Sequence, residues 1–281
     1  MKAVTPGAHV IVQARLGSTR LPGKVLEELE GKPMLLRVLE RAARIPGVER
    51  TILATTGEPE DAVLLERARG WGYPAVAGST HDVLERYLTA AREHDSQIIL
   101  RVTADCPLYD ASVGGRVLAR FLAGEAPGQG DGDPGRGLDY VSNAHPPTYP
   151  DGLDTEVVSR EALERAGREA SLPSEREHVT AYIWNHPERF HLANVEHPTD
   201  LSHLRWTVDE PVDLALIREV YRRLAASQSQ PSPADTAGLE EVLALFQADP
   251  GLGRENATIG RDEGYWRSVE GEATTSGEGD E

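Results

Sequence analysis

Short apolar segments alternate with amphipathic segments along the first 123 residues. Helical spacing of apolar residues marks 32–45, 59–72, 81–95 and 112–123. The segments typical of buried strands are HVIVQA (9–14), TILATT (51–56), PAVAG (74–78) and QIILRVTAD (97–105). This alternation predicts an α/β fold with a mostly parallel central sheet that is covered by helices on both faces.

The pattern is less regular after residue 138. Helical spacing predicts helices at 160–170, 175–186, 211–225 and 239–247. Strands are predicted for LDYVSN (138–143), DTEVVS (154–159), RFHLANVE (189–196) and LRWTVD (204–209). Three polar segments are predicted to be unstructured: a flexible loop at 124–137, a linker at 226–238 and a disordered acidic tail at 268–281.

Composition limits the classes of protein that the chain can belong to. Its 281 residues, 39% hydrophobic, suit one large domain or one domain with an appendage. The net charge of −17 disfavours nucleic acid and anionic membranes as partners. A single cysteine, Cys106, fits a reducing cytoplasm and a structural role, and the chain shows neither a secretory signal nor an apolar run long enough to span a membrane.

The loop after the first strand, QARLGSTRLPGK (13–24), is basic in an acidic chain. It is not a P-loop, because five residues separate its two glycines and Val25, which has no hydroxyl, follows Lys24. In open α/β sheets, however, ligands bind beyond the carboxyl ends of the strands. Arg15, Arg20 and Lys24 supply three cations there, so the loop is a candidate phosphate site. A solvated basic loop is the alternative.

Two aspartates follow predicted strands and can point into the same crevice. Asp105 ends QIILRVTAD, and Asp209 ends LRWTVD. Strand-end carboxylates are suited to hold Mg²⁺ against phosphate oxygens. The alternatives are structural: Asp105 can cap the turn at Pro107, and Asp209 can lie beside the N-terminus of the helix that starts at Pro211.

A third group of polar side chains could recognise sugar hydroxyls and a carboxylate. Each member alone has a structural alternative, for example a satisfied helix histidine. The members are Asp151, Asp154, Glu156, Arg176 and His178.

These motifs together resemble the sugar cytidylyltransferases, and most closely the branch named for spore coat polysaccharide biosynthesis protein F. The resemblance extends from about residue 9 to 224. The residues that carry it are QARLGSTRLPGKVLEELEGKPMLLRVLER, RVTADCPLYD, DYVSN, PPTYPDGLDTEV, REHVT and DLSHLRWTVDEPVDL. It implies a Rossmann-like nucleotide-diphospho-sugar transferase fold in a nucleotidyltransferase domain of residues 1–224, followed by a linker and helical extension at 225–267.

The resemblance also implies a reaction and a site. CMP would pass from CTP to an acidic or modified sugar in surface polysaccharide biosynthesis, with Mg²⁺ as cofactor and pyrophosphate as the second product. The enzyme would be a homodimer, with Asp105 and Asp209 as metal ligands. Together with Arg15 and Lys24 they would be the catalytic residues. The nucleotide would contact Ala14, Arg15, Gly17, Ser18, Arg20, Lys24, Asp82 and Arg86.

Two other functions stay open at this point. A glycosyltransferase of the same fold would use a nucleotide-sugar as donor, but a diphosphate needs the basic loop less than a triphosphate does. A non-catalytic nucleotide-binding protein is the second, although the lysine and both aspartates are present. The general base also stays open, with His178 and Asp154 as candidates.

Overall fold

The structure of the protein is a computed structural model, and it describes residues 5, 7–124, 137–226 and 233–277. The strands are β1 (Ala8–Gln13), β2 (Glu28–Leu29), β3 (Lys32–Pro33), β4 (Arg50–Thr56), β5 (Ala75–Gly78), β6 (Ile98–Thr103), β7 (Tyr140–Ser142), β8 (Glu156–Ser159) and β9 (Leu192–Asn194). The helices are α1 (Met34–Ala42), α2 (Ala62–Gly70), α3 (Val83–Glu93), α4 (Ala111–Ala123), α5 (Arg160–Glu169), α6 (Pro173–Glu177), α7 (Ala181–Trp184), α8 (Pro211–Ala225), α9 (Pro233–Thr236), α10 (Leu239–Ala248) and α11 (Glu263–Gly277).

Seven strands form the central sheet in the order β5-β4-β1-β6-β8-β7-β9, and β2 and β3 form a separate hairpin. The first four strands of this order are parallel. β8 runs antiparallel to both of its neighbours, whereas β7 and β9 are parallel. The predicted α/β fold with a mostly parallel sheet is therefore confirmed.

Side chains of β1 alternate between the two faces of the sheet, as the two-residue period of a strand requires. Val10 and Val12 pack in a core with α1, where Val38 is fully buried. Ile11 packs in a second core with Leu84 of α3. Helices thus cover both faces and leave the strand ends free for a site.

Two predicted elements of the second half differ from the structure. Residues 204–209 make only one isolated bridge, between Arg205 and Asp151, because the Val208 N–H bonds to the carbonyl of Asp105 instead of extending a ladder. The predicted helix 175–186 is interrupted between α6 and α7 at Val179, whose φ of 62° lies in the left-handed region.

The C-terminal part is more ordered than its composition suggested. The predicted linker includes α9. Ala234 in this helix and Ala237 just after it are buried, and their carbonyls accept hydrogen bonds from Arg41. The predicted disordered tail is wrong for residues 268–277, which belong to α11. The Glu272 carboxylate anchors this helix to the backbone N–H and the hydroxyl of Ser174. Helix α10 confirms the helix expected at 239–247.

Other expectations fall on residues outside the described part, namely 125–136 of the predicted flexible loop, 227–232 of the linker and 278–281 of the tail. A search of the described helices for one able to cross a bilayer finds none.

Candidate active site

A cavity of about 840 Å³ lies at the carboxyl ends of the parallel strands. The segments that follow β1, β5 and β6 line it, so the sheet topology itself brings them together. The predicted site residues in its wall are Ala14, Arg15, Ser18, Arg20, Lys24, Asp82, Arg86, Asp105, Arg176, His178 and Asp209. Gly17 lies in the same loop but is not part of the cavity wall.

The loop after β1 is fixed by its backbone. The Gly23 N–H donates to the Leu16 carbonyl at 2.9 Å, and the Leu16 N–H donates to Asp61 Oδ1 at 2.7 Å. Gly23 has a φ of 74°, a conformation that costs glycine little, and it begins the 3₁₀ turn Lys24–Leu26. This turn directs the Lys24 side chain towards the strand ends.

Lys24 lies between the two strand-end aspartates. Its Nζ donates to Asp105 Oδ2 at 2.9 Å, to Asp209 Oδ1 at 2.8 Å and to the Val208 carbonyl at 2.7 Å. Burial alone would lower the pKa of Lys24, but the two carboxylates raise it, so the ammonium stays charged. Burial would likewise raise the pKa of Asp105, yet the Lys24 charge lowers it to about 2.

The two arginines of the loop differ in exposure. Arg15 is exposed at the cavity wall and is free to meet an anion. Arg20 is half-buried, and its guanidinium lies 2.9 Å from Asp209 Oδ1 and 3.5 Å from Glu210 Oε1. Arg20 therefore supplies a second cation to Asp209.

Asp82 and Arg86 mainly shape the opposite wall. Asp82 Oδ1 accepts the Glu85 N–H at 2.9 Å and so caps α3, while Oδ2 accepts from Arg176 Nε at 2.7 Å. Arg86 is buried, and its guanidinium donates to the carbonyls of Ser79 and Thr80. These contacts hold the segment after β5 against the cavity.

A smaller cavity of about 220 Å³ adjoins the larger one, and the two share Asp105, Asp209 and His178. Asp151, Asp154 and Glu156 line the smaller cavity only, whereas Arg176 lines the larger one only. The structure thus divides the predicted sugar-binding residues between two adjacent spaces.

The carboxylates of the smaller cavity are buried to an extent that changes their acidity. Burial and the neighbouring charge of Asp154 raise the pKa of Asp151 to about 7. Burial also raises the pKa of Asp154, although its carboxylate is paired with Arg261. Burial would raise the pKa of Glu156 too, but its ion pair with Arg101 lowers it.

Arg205 and Asp213 form a buried pair that sequence reasoning did not place in the site. The Arg205 guanidinium meets Asp213 at 3.0 and 3.1 Å, Asp209 Oδ2 at 3.0 Å and Asp151 Oδ2 at 3.0 Å. Asp213 Oδ2 also accepts the backbone N–H groups of Asp209 and Glu210. Asp213 therefore caps α8, and the Asp209 side chain is paired with cations instead. The D-E-P-x-D spacing at 209–213 is the sequence feature that could have predicted this cap.

Other cavity residues also escaped the sequence reasoning. Arg101 lines both cavities, and the signal for it was an arginine within an apolar strand. Gly264, Arg267 and Ser268 of α11 line the larger cavity; the first two lie in the predicted helical extension, and Ser268 lies in the predicted disordered tail. Ser268 Oγ lies 3.3 Å from His178 Nε2, and burial lowers the pKa of that imidazole.

The donor set at the strand ends is compatible with Mg²⁺. Within the described ranges no three His, Cys, Asp or Glu side chains form a group that could hold a metal. Two carboxylates, those of Asp105 and Asp209, nevertheless converge on one cation, the Lys24 ammonium. Mg²⁺ in nucleotide sites is usually held by one or two carboxylates, with phosphate oxygens and waters as the remaining ligands. The buried Cys106 thiol has a raised pKa and remains protonated.

Comparison with known proteins agrees with this geometry. The sequence profile of the cytidylyltransferase family matches residues 9–228. Spore coat polysaccharide biosynthesis protein SpsF of Bacillus subtilis is 30% identical over 253 residues, which are 87% of this chain and 96% of that protein. The 3-deoxy-manno-octulosonate cytidylyltransferase of Trichlorobacter lovleyi is 38% identical over 114 residues, 40% of this chain and 44% of that enzyme.

A solved structure matches over most of its length. The cytidylyltransferase of Leptospira borgpetersenii superposes with a TM-score of 0.78 at 28% identity, covering 91% of this chain and 99% of that one. The fold, the cavity at the strand ends and the match over residues 9–228 lead to one assignment. The chain belongs to the cytidylyltransferase family and is a nucleotidyl-transferring enzyme.

Proposed function

We propose that this enzyme transfers CMP from CTP to a sugar in polysaccharide biosynthesis and releases pyrophosphate. The observation that carries this proposal is the position of Lys24 between Asp105 and Asp209 at the carboxyl ends of the strands. The SpsF relative and the 3-deoxy-manno-octulosonate cytidylyltransferase support both the sugar acceptor and the pathway class.

The triphosphate lies in the basic part of the larger cavity. Arg15 is exposed there and binds phosphate oxygens through its guanidinium, while Lys24 contributes a point charge. Ser18 and Arg20 lie beside them in the same wall. The base and ribose extend towards the segment after β5, which Asp82 and Arg86 hold in place.

Asp105 and Asp209 would hold Mg²⁺. When bound, the ion offsets negative charge on the triphosphate and on departing pyrophosphate. The low pKa of Asp105 keeps its carboxylate ionised and ready to act as a ligand throughout the physiological pH range. Arg205, fixed by Asp213, holds the second oxygen of Asp209 and thereby orients that carboxylate.

The reaction is an in-line displacement at the α-phosphorus. A sugar hydroxyl oxygen bonds to the α-phosphorus, the bond from this phosphorus to the oxygen that bridges to the β-phosphorus breaks, and pyrophosphate leaves with that electron pair. The protein mainly positions the groups and stabilises charge. Of the two candidate bases, we favour His178 as acceptor of the hydroxyl proton. Its pKa is lowered, so the imidazole is neutral, and it lines both cavities.

Pyrophosphate release tests this function against the glycosyltransferase alternative. The purified chain is mixed with Mg²⁺, CTP and a panel of sugars that includes 3-deoxy-manno-octulosonate, hexoses, hexosamines and hexuronic acids. We expect sugar-dependent pyrophosphate, which is lost on Mg²⁺ chelation. A glycosyltransferase would release none from CTP and would instead cleave a nucleotide-sugar, a result that would overturn the proposal.

We also propose that the enzyme is a cytoplasmic homodimer. The family resemblance supports the dimer, and the single buried Cys106 suits a reducing compartment. Light scattering on the purified chain gives the mass directly; the mass of one 30.6 kDa chain would refute the dimer.

A further inference from the structure

Helix α11 lies against the side chain of His178, the base proposed for the reaction. The helix belongs to the C-terminal segment beyond residue 228, where the match to the family profile ends. Two of its side chains contact the imidazole: Ser268 Oγ lies 3.3 Å from Nε2, and the Tyr265 ring packs edge-on with 5.2 Å between ring centroids. The carboxylate of Glu272 anchors the helix to Ser174 of α6, the helix that His178 follows. The segment outside the matched range therefore determines the surroundings of the proposed base.

The Ser268 hydroxyl has a single hydrogen and two acceptor lone pairs. Its Oγ lies 2.8 Å from Glu177 Oε2 and 3.0 Å from the carbonyl oxygen of Gly264, and neither of these oxygens can donate a hydrogen. The carboxylate is the stronger acceptor, because a hydrogen bond to an ionised group is stronger than one between neutral groups. The hydroxyl hydrogen therefore points away from His178, and Ser268 meets Nε2 as an acceptor.

The imidazole of His178 must then carry its hydrogen on Nε2. A neutral histidine has one N–H and one lone pair, and the hydrogen bond made by one ring nitrogen fixes which nitrogen is protonated. Glu177 Oε2, which lies 4.0 Å from Nε2, favours the same arrangement because its negative charge attracts the N–H. Nδ1 makes no hydrogen bond with any residue in the part of the chain that the structure describes. Nδ1 thus keeps the lone pair that can accept a proton.

Tyr265 fixes the plane of the imidazole ring. Its own ring lies at 87° to that of His178 and at 61° to that of Trp184, with centroids 5.0 Å apart in the second pair. The Tyr265 hydroxyl also accepts a hydrogen bond from Asn185 Nδ2 at 3.1 Å. Edge-to-face packing is a preferred geometry of aromatic pairs. Tyr265 is therefore held by the end of α7 and in turn restricts rotation of the imidazole.

We propose that Ser268 and Tyr265 are positioning residues of the nucleotidyl transfer, which hold His178 as the Nε2–H tautomer with Nδ1 as the proton acceptor. The inference rests on the proposed function, because His178 needs this form only if it accepts the proton of the sugar hydroxyl. In that step the O–H bond breaks, the proton bonds to the Nδ1 lone pair, and the oxygen keeps the electron pair with which it attacks the α-phosphorus. The ring becomes an imidazolium, whose positive charge the Glu177 carboxylate stabilises.

Nuclear magnetic resonance of the full chain, labelled with ¹⁵N at histidine, reports the tautomer directly. At about pH 8 a histidine of ordinary or lowered pKa is neutral, and its protonated and unprotonated nitrogens differ strongly in chemical shift. His178→Gln identifies the signals of this residue among those of the nine histidines. We expect the Nε2–H form to dominate in the wild type. A dominant Nδ1–H form would overturn the inference.

Ser268→Ala removes the hydroxyl that accepts from Nε2, so both tautomers of His178 should become populated. We expect kcat to fall about two- to tenfold, as the loss of one hydrogen bond implies, while KM for CTP changes by less than about twofold. Ser268→Thr keeps a hydroxyl and should keep both the tautomer and kcat. A Ser268→Ala protein that retains either the wild-type tautomer or the wild-type kcat would contradict the proposal.

Two variants of Tyr265 test the contact with the ring plane. Tyr265→Phe keeps the aromatic ring and removes only the bond from Asn185, whereas Tyr265→Leu removes the ring. We expect kcat to fall about fivefold in the leucine variant and less than about twofold in the phenylalanine variant. Equal rates in the two would refute the role of Tyr265. Ser171→Ala, exposed and outside the walls of both cavities, is the control and should change neither the tautomer nor kcat.

The two readouts separate this inference from the proposed function. A wild-type chain that releases no pyrophosphate with CTP, Mg²⁺ and any sugar argues against the proposed function. A chain that turns over normally while His178 lacks the Nε2–H tautomer argues against this inference alone.

Discussion

The two adjoining cavities are opposite in charge although they share six polar side chains. Seven lysine and arginine side chains and four carboxylates line the larger cavity, whereas three arginines and seven carboxylates line the smaller one. The larger cavity takes three of its seven cations from the loop after β1, which follows a strand of the parallel sheet. The smaller one is lined by residues of β6 and β8, by irregular segments and by the C-terminal extension. The contrast supports the proposed phosphate site in the larger cavity; Asp105 and Asp209, which hold Lys24, lie at the boundary between the two cavities.

The largest effect is expected at that boundary. Lys24→Ala removes the cation that Asp105 and Asp209 share, so nucleotidyl transfer should fall by about 10³-fold. Asp105→Ala should be similarly inactive, because it removes a proposed metal ligand. Pyrophosphate release gives the rate, and far-ultraviolet circular dichroism shows that the fold is intact.

Lys32→Ala is the matched control, since Lys32 pairs with Glu40 and Asp235 away from both cavities. It should keep normal turnover. Wild-type rates in the Lys24 or Asp105 variant would contradict the catalytic role proposed for these residues.

The next effect concerns the stability of the smaller cavity. Asp213 is fully buried and fixes Arg205, so Asp213→Asn leaves a buried guanidinium without its main partner. The free energy of unfolding should fall by about 3 kcal/mol. Urea denaturation measures this.

Glu219→Gln on the same helix is the control, because its ion pairs with Arg222 and Arg223 are on the surface. It should change stability little. Equal losses in both variants would mean that the buried pair has no special role in holding the wall of the smaller cavity.

The dependence of stability on pH should have opposite signs at Asp105 and Asp151. Asp105 has a lowered pKa of about 2, so its contribution is complete above pH 4 and is lost as the pH falls towards 2. Asp151 has a raised pKa of about 7, so the folded state binds the extra proton between pH 4 and 7. Stability therefore declines as the pH rises through that window.

Asp151→Asn removes the second effect. As the pH rises from 4.5 to 7.5, the free energy of unfolding of the variant should rise by about 3 kcal/mol relative to wild type. Denaturation series at several pH values test this. A difference between the two proteins that stays constant with pH would contradict the raised pKa of Asp151 and its causes, which are burial and the neighbouring charge of Asp154.

The smallest effect is expected at the rim of the larger cavity. Arg267 of α11 lines this cavity, but its side chain is 63% exposed and paired with Glu263. Arg267→Ala should raise KM for CTP by about two- to fivefold and leave kcat unchanged. Steady-state kinetics measure both constants. A lower kcat at constant KM would contradict this prediction, because it would mean that Arg267 acts on the reacting atoms and not at the rim.

The regular half of the molecule was predictable because its sequence repeats a physical pattern. Apolar strands such as β1 and amphipathic helices such as α3 are consequences of burial on both faces of a sheet, so periodicity predicts them. The strand-end position of Asp105 and the cations of the loop after β1 followed from the same pattern.

The smaller cavity and the segments around it were harder to predict, because their geometry depends on contacts between residues far apart in sequence. Arg205 contacts Asp151, Asp209 and Asp213. Its contact with Asp151 joins residues 54 positions apart, so the local sequence gives no indication of it. Helix α11 is polar, and its position depends on partners such as Ser174, which lies 98 residues before Glu272. The break at Val179 likewise reflects the contact between Thr180 and Glu156, a tertiary interaction that overrides helical spacing.

Isothermal titration calorimetry with CTP, UTP, GTP and ATP, each with and without Mg²⁺, tests the central claim that the larger cavity is a CTP site. We predict that CTP binds more tightly than the other three nucleotides, that its binding requires Mg²⁺, and that Lys24→Ala abolishes it. Equal binding of all four nucleotides, or CTP binding that neither Mg²⁺ nor Lys24 affects, would contradict the account.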